Sequence, residues 1–374
     1  MIPAPPSGLF RVLGLMSGTS LDGIDVALLE TDGAAVVRRG PSATFAYAAD
    51  QRALLRRALA DAAPLTERSH RPGCLAEAEA ALTLWHAKAV HSFCQQHGLN
   101  DSEDSKIHLL GFHGQTVLHR PERHLTVQLG DGAALARRMG IPVAWDLRAA
   151  DVAAGGQGAP LVPAYHAALA AGLPLRPVAF VNIGGVANVT FVGAGGDLLA
   201  FDTGPGNALL DDWMLRHTGA ARDEGGALAL SGRADRRWLA RALADPFFAM
   251  APPKSLDRNH FAGLPLPPLS AADGAATLAA FTVAAIAAAR RHFPAEPQQW
   301  IICGGGRHNH ALMQGLAAAL PGVIAAEQAG LNGDAMEAEA WAYLAVRAAR
   351  SLPLTFPGTT GVPRPLSGGV LSQT

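Results

Sequence analysis

Residues 15–25 read Leu15-Met16-Ser17-Gly18-Thr19-Ser20-Leu21-Asp22-Gly23-Ile24-Asp25. Apolar runs at 9–16 and 24–30 flank the polar centre, so the stretch is read as two strands joined by a glycine- and hydroxyl-rich hairpin. Glycine imposes no side chain there, so backbone N–H groups can approach phosphate oxygens closely. Gly18, Thr19, Ser20, Leu21, Asp22, Gly23, Ile24 and Asp25 are therefore assigned to the phosphates of a nucleotide. Thr19 and Ser20 add hydroxyl donors, and Asp22 is the candidate to hold a magnesium ion, directly or through water. Asp-Gly is equally an ordinary hairpin signal, so this loop alone leaves both readings open.

Working outward, a third strand is expected at 34–37, helices at 50–60 and 76–96, a strand at 107–111, a helix at 131–139 with Asp131 near its N-cap, and a strand at 141–145. A second block repeats this beginning. Strands are expected at 178–183, 186–192 and 198–201, then a helix at 275–290, a strand at 299–303, a helix at 312–320 and a strand near 322–326. A unit that occurs twice predicts a two-lobed α/β protein with a cleft between the lobes. The boundary is placed near Ala171-Gly172-Leu173-Pro174.

The second block carries its own glycine turn in Asn182-Ile183-Gly184-Gly185-Val186-Ala187-Asn188, between its first two strands. Gly184, Gly185 and Asn188 are assigned to ATP, as a partner of the first hairpin in clamping a triphosphate. Phe201-Asp202-Thr203-Gly204-Pro205-Gly206-Asn207 sets a carboxylate at a strand end before a rigid turn. Asp202 is the candidate general base, with Asn207 the better cap for a helix over 207–217. Cys303-Gly304-Gly305-Gly306-Arg307-His308-Asn309 joins a strand to a helix, and Gly304, Gly305 and Gly306 offer a flat backbone for adenine. Neither a GxxxxGK[ST] loop nor a GxGxxG fingerprint is present, which disfavours a P-loop NTPase or a Rossmann dehydrogenase.

Polar segments around Gly111-Phe112-His113-Gly114-Gln115-Thr116, Asp146-Leu147-Arg148 and Gly155-Gly156-Gln157-Gly158 read as loops that follow strands, where α/β proteins bind ligands. No histidine spacing supports a zinc site.

Composition sets the class. The chain has 374 residues, enough for two domains, with 49% hydrophobic and 16% charged residues and a net charge of −1. Basic residues are scattered, against a nucleic-acid surface. The three cysteines, Cys74, Cys94 and Cys303, form no CxxC pair and are expected to be reduced thiols in a cytoplasmic protein. The N-terminus lacks a basic signal-peptide region. The alanine-rich run at 274–289 is short of the about 20 residues a bilayer requires and is read as a buried helix.

Taken together, MSGTSLDGID, GFHGQT, DLRAADVAAGGQGAPLVP, NIGGVANVT, FDTGPGN, the Pro253-Lys254-Ser255 turn, CGGGRHN and MEAEAWAYLA resemble the anhydro-N-acetylmuramic acid kinases of peptidoglycan recycling. The match runs from Gly14 to about Gly361. The resemblance implies two duplicated RNase H-like domains of the actin/hexokinase type around a central cleft. These would span 1–172, completed by 345–374, and 173–344. It implies ATP and Mg2+ as cofactors, a small-molecule sugar substrate, no nucleic-acid or membrane partner, and a homodimer. It also implies an unusual reaction, in which water opens the 1,6-anhydro ring while O6 receives the γ-phosphoryl group. By motif match Asp202 is the base for that water. Glu337 falls at a second acidic position, either a sugar or water contact or an ordinary helix carboxylate. His113, Gln115, Arg148, Gly204 and Asn207 are set with it against the sugar. Residues 331–334 are less proline-rich than the resemblance leads one to expect.

Two rivals differ in class. A regulatory ATPase would share the phosphate loops without needing the GGQGAPLVP and DTGPGN segments. A carbohydrate hydrolase acting without ATP would need two carboxylates flanking the bond and leaves the glycine loops unexplained.

Overall fold

A computed structural model describes residues 5, 7–18, 20–261 and 263–374. The chain divides into two compact units, Met1–Ala171 with Ala335–Thr374, and Gly172–Asp334. The returning segment thus starts at Ala335, ahead of the expected 345, because the whole helix Met336–Ala349 belongs to the first unit.

The strands are β1 Phe10–Ser17, β2 Gly23–Thr31, β3 Val37–Ala46, β4 Leu109–Arg120, β5 Leu125–Leu129, β6 Val143–Trp145, β7 Val178–Ile183, β8 Val186–Val192, β9 Leu198–Pro205, β10 Gln299–Cys303, β11 Val323–Ala325 and β12 Val370–Ser372. In the first unit the sheet order is β12-β6-β4-β1-β2-β3, with β5 paired to β4. The strands β1, β2 and β3 form an antiparallel meander, and β4 and β6 extend it in parallel. The second unit runs β11-β10-β7-β8-β9, an antiparallel meander of β7, β8 and β9 extended in parallel by β10 and β11. One topology therefore occurs twice, and it is the RNase H-like sheet of the actin/hexokinase type.

Several expected elements move. The third strand begins where 34–37 was expected to end and runs on to Ala46. The GFHGQT segment, expected as a loop, is the middle of the long strand β4. The hairpin partner β5 was not anticipated. The strand β9 continues past Asp202 to Pro205.

Packing in the first unit turns on two glycines. Gly14 on β1 and Gly111 on β4 are register neighbours. A Cβ on Gly14 would lie 1.8 Å from the Ala338 carbonyl oxygen, and one on Gly111 would lie 2.2 Å from that of Trp341. Both helix residues belong to Met336–Ala349. The glycine pair is thus a seat that lets this helix lie directly on the sheet, with Leu344, Ala345 and Val346 fully buried.

In the second unit the helix Ala271–Ala288 is the core element. Its Phe281 is fully buried beside Trp238, Phe248 and Phe261. Burial of each such side chain contributes about 1.5–3 kcal/mol. With the turn that follows, the helical stretch Ala271–His292 is long and apolar enough to cross a membrane by length and composition, longer than the sequence run indicated. More than half of its apolar window (56%) is buried within the fold, as expected of a core helix.

Candidate functional site

In the first unit the chemistry gathers at the ends of β1 and β4. The register of these strands slips between Leu15 and Ser17, where three steps along β4 answer two along β1. Gly114 absorbs the slip at φ +70°, and a Cβ there would meet the Leu129 carbonyl oxygen at 2.3 Å. The irregularity aims the side chains on either side of it. His113 Nδ1 lies 3.1 Å from the Ser17 carbonyl oxygen, and Gln115 Nε2 donates to that of Gly18 at 3.2 Å. Ser17 Oγ returns a bond to the Gly114 carbonyl at 2.8 Å. The start of the 18–25 hairpin is therefore tied to β4.

Within the hairpin, Leu21 holds φ +59° with its side chain buried, and its N–H donates to the Gly18 carbonyl at 3.2 Å. A left-handed conformation at a non-glycine residue costs of order 1–3 kcal/mol. Gly18 has no contact that would exclude a side chain, its nearest being Ser20 Oγ at 3.7 Å. Asp22 is exposed and Asp25 half-buried. Asp25 accepts from Thr44 Oγ1 at 2.6 Å. Thr19 lies outside the described residues.

Arg148 meets the same cluster. Its Nη2 lies 3.2 Å from His113 Nε2, its Nη1 donates to the Gly158 carbonyl at 2.8 Å, and its guanidinium covers the Trp341 ring at 5.2 Å. Burial, then the Arg148 charge, hold His113 well below the usual imidazole range. A neutral ring with Nδ1–H donating to Ser17 and Nε2 accepting from Arg148 satisfies every contact. Glu337 is half-buried. Burial raises its carboxyl above the ordinary range, Arg148 opposes that rise and Asp25 adds to it. The first unit thus brings together His113, Gln115, Arg148, Glu337, Asp25 and the hairpin backbone.

The Gly155 to Gly158 segment is pinned from beneath. Buried Asp151 accepts from Gly158 N–H at 2.6 Å and from Thr360 Oγ1 at 2.7 Å. Trp341 and Tyr165, whose Oη donates to buried Glu339 at 2.7 Å, were not singled out from the sequence. Trp341 had a signal, since it stands one helical turn beyond Glu337.

In the second unit the glycine turns are zipped together. Gly206 and Ala208 N–H groups bond to the Gly185 carbonyl at 2.9 and 3.2 Å, and Asn207 N–H to that of Gly184 at 2.7 Å. Asn207 stands at the N-cap of the helix Ala208–Thr218 but makes no capping bond. Its amide donates instead to the Ile183 carbonyl at 3.1 Å. Gly184 and Gly185 meet nothing closer than 3.6 and 3.7 Å, and Gly305 nothing within 4 Å. Their lack of side chains therefore has no packing reason. Gly304 and Gly306 do have one, since a Cβ would sit 2.3 Å from Asn182 Oδ1 and from Ile183 Cγ2 respectively. Gly204, at φ +151°, is likewise crowded by the Ala285 side chain at 2.7 Å.

Asp202 sits at a β-bulge. Asn188 on β8 pairs with Asp202, while the next residue, Ala187, pairs with Gly204, so Thr203 is the extra residue. Bulges bend a strand and re-aim its side chains. Leu256 N–H donates to Asp202 Oδ2 at 2.7 Å. Burial pushes the Asp202 carboxyl up to about 6, against the lowering effect of that bond. A carboxylate of this basicity is ionised near neutrality yet able to take a proton.

Among the described residues no group of three or more His, Cys, Asp or Glu side chains could hold a metal ion. Magnesium usually keeps several waters and takes one or two carboxylates plus substrate phosphates. The exposed Asp22 at the hairpin fits that role.

The family model described as anhydro-N-acetylmuramic acid kinase matches residues 10–373. The anhydro-N-acetylmuramic acid kinase of Nitrobacter winogradskyi is 54% identical over 369 residues, 98% of this chain and 100% of that protein. That of Bradyrhizobium diazoefficiens is 54% identical over 368 residues, again 98% and 100%. That of Agrobacterium fabrum is 53% identical over 366 residues, 96% and 97%. Among solved structures, an activator of 2-hydroxyisocaproyl-CoA dehydratase from Clostridium difficile with bound ADPNP is similar at a TM-score of 0.45 and 12% identity, covering 91% of this chain and 96% of that one. That likeness is too remote to bear on the chemistry.

Proposed function

The chain belongs to the anhydro-N-acetylmuramic acid kinase family, and from that premise we propose that its kinase reaction couples two bond changes on anhydro-N-acetylmuramic acid. Water attacks the anomeric carbon, the bond from that carbon to O6 breaks, and O6 takes the γ-phosphoryl group of ATP. The products are N-acetylmuramic acid 6-phosphate and ADP, for peptidoglycan recycling and amino sugar catabolism. A leaving oxygen in glycoside cleavage ordinarily needs a general acid. Here the phosphoryl group does that work, so one carboxylate base is enough.

Asp202 takes the proton of the attacking water. The observation that carries this reading is its carboxylate beside the bulge, held by Leu256 N–H and raised to about 6. Gly18, Ser20, Asp22, Gly23 and Asp25 of the first hairpin, with Thr19, serve the phosphates. Gly184, Gly185 and Asn188 serve them from the second unit, and the open backbone at Gly305 serves the adenine. The glycines at 18, 184, 185 and 305 leave room for a ligand that no side chain of their own unit claims. Arg148, His113, Gln115 and Glu337 serve the sugar, with Gly204 and Asn207 shaping the turn below Asp202. A magnesium ion held by Asp22 and the phosphates would offset charge on the transferring group. Three free cysteines support a reducing, cytoplasmic setting, and the protein acts as a homodimer.

The test is incubation with anhydro-N-acetylmuramic acid, with and without ATP and magnesium, read by mass spectrometry. The coupled reaction gives the 6-phosphate only when ATP is present. Ring-opened sugar without ATP, or ATP turnover indifferent to the sugar, contradicts it.

A further inference from the structure

We infer that Lys254 is a positioning residue for Asp202, acting by holding the turn that grips both the backbone and the carboxylate of that residue. The inference rests on the reading of Asp202 as the base.

The segment 254–257 has no regular secondary structure, so no repeating hydrogen-bond ladder sets its place. Yet it brackets Asp202 from two sides. The Lys254 carbonyl accepts from Asp202 N–H at 2.9 Å, and Leu256 N–H donates to Asp202 Oδ2 at 2.7 Å. What secures the bracket is the lysine side chain, which turns inward and is only 7% exposed. Its Nζ donates to the carbonyls of Phe247 and Phe248 at 2.9 and 3.4 Å. It lies 4.5 Å from the centre of the Phe247 ring and 5.7 Å from that of Phe201.

A buried ammonium group is expensive unless it is paired. Here its partners are carbonyls and ring faces, with no carboxylate among its described contacts. A methionine or leucine would fill the same box without desolvating a charge. What the ammonium adds is a tie to the short helix Pro246–Ala249. That tie runs under Phe201, the residue before Asp202, so one side chain fastens the turn beneath the carboxylate it aims. Burial and the nearby Arg291 charge pull Lys254 down to about 8. His292 is the other titratable group that feels it. The Asp202 carboxyl is governed by burial and by the Leu256 N–H.

The experiment measures kcat against pH, KM for ATP, and the unfolding midpoint for the full chain and four variants: Lys254→Met, Lys254→Arg, Leu256→Pro and Asp202→Asn. Since the Leu256 N–H lowers the Asp202 carboxyl, loosening it moves the acid limb of kcat to higher pH. Lys254→Met is expected to lower kcat about 10–100-fold, the scale of a misplaced catalytic group. It should leave KM for ATP within about threefold and shift the acid limb upward by about one pH unit. Leu256→Pro deletes the N–H outright and should shift the limb the same way, and Lys254→Arg should recover part of the loss. A folded Lys254→Met whose acid limb stays at the wild-type position overturns the inference. If Lys254→Met does not fold, an unmoved limb in Leu256→Pro overturns it. Asp202→Asn separates the two claims. Turnover within about tenfold of wild type sinks the base assignment and this inference with it, whereas an inactive Asp202→Asn beside an unmoved Lys254→Met limb sinks the lysine alone.

Discussion

Arg148 Nη2 lies 3.2 Å from His113 Nε2, so a cation leans on an imidazole that its own burial already keeps neutral. The same guanidinium bonds the Gly158 carbonyl at 2.8 Å and covers Trp341. It therefore joins β4, the glycine-rich segment and the helix Met336–Ala349 at one point of the first unit.

That geometry predicts a neutral His113 across the whole working range. Burial and Arg148 both disfavour the imidazolium. Nitrogen-detected NMR should show Nδ1–H and a bare Nε2 at pH 6, and an imidazolium there would contradict the assignment. Arg148→Lys cannot make the forked contacts and the stacking together. It should lower kcat/KM for the sugar about 10–100-fold, measured by coupled ADP release.

Asp202 and Glu337, the two candidate-site residues whose carboxyls burial raises, are liabilities to the fold at neutral pH. Asp202 has a folded value of about 6 against an ordinary 3.8. A raised value means that the stability present below pH 3.8 is lost as pH rises through about 6. Asp202→Asn keeps an acceptor for Leu256 N–H and removes the charge. It should gain about 1–3 kcal/mol in urea unfolding at pH 7, and the gain should vanish by pH 4. Glu337, also raised, predicts the same sign for Glu337→Gln. A loss of stability at pH 7 in both variants would refute this account.

The glycines separate into two kinds. Gly14→Ala drives a Cβ into the Ala338 carbonyl and should destabilise the protein by about 1–3 kcal/mol or more. Gly184→Ala meets only an ordinary contact at 3.6 Å and Gly305→Ala meets open space, so both should stay within about 0.5 kcal/mol of wild type. If these positions serve ATP, the same two changes should raise KM for ATP about tenfold or more. Unchanged ATP kinetics in both would remove them from the site.

Much of the fold was legible because glycine turns cut the apolar runs of β1, β2, β7 and β8 cleanly. The long strand β4 was not. Its His113-Gly114-Gln115-Thr116 segment has the polarity of a loop, and it stays a strand only because Gly114 adopts φ +70° at the register slip. The bulge at Thr203 hid the end of β9 for a similar reason, since Gly204 and Pro205 read as a turn. Asn207 had the sequence of a helix cap, but the Ile183 carbonyl takes its amide. The candidate residues themselves were visible as motifs. Asp151 and Lys254 stood in those motifs too, but the support they give, to Gly158 and to the turn at Asp202, was not legible, because a buried charge held mainly by backbone groups leaves no periodic mark in a sequence.

The central claim is that Asp202 removes a proton from the water that opens the ring. Sugar-dependent ADP release by Asp202→Asn, compared with wild type at saturating ATP and sugar, tests it most directly. The account predicts a loss of about 10²–10⁴-fold with the fold intact. Turnover within about tenfold of wild type would contradict it.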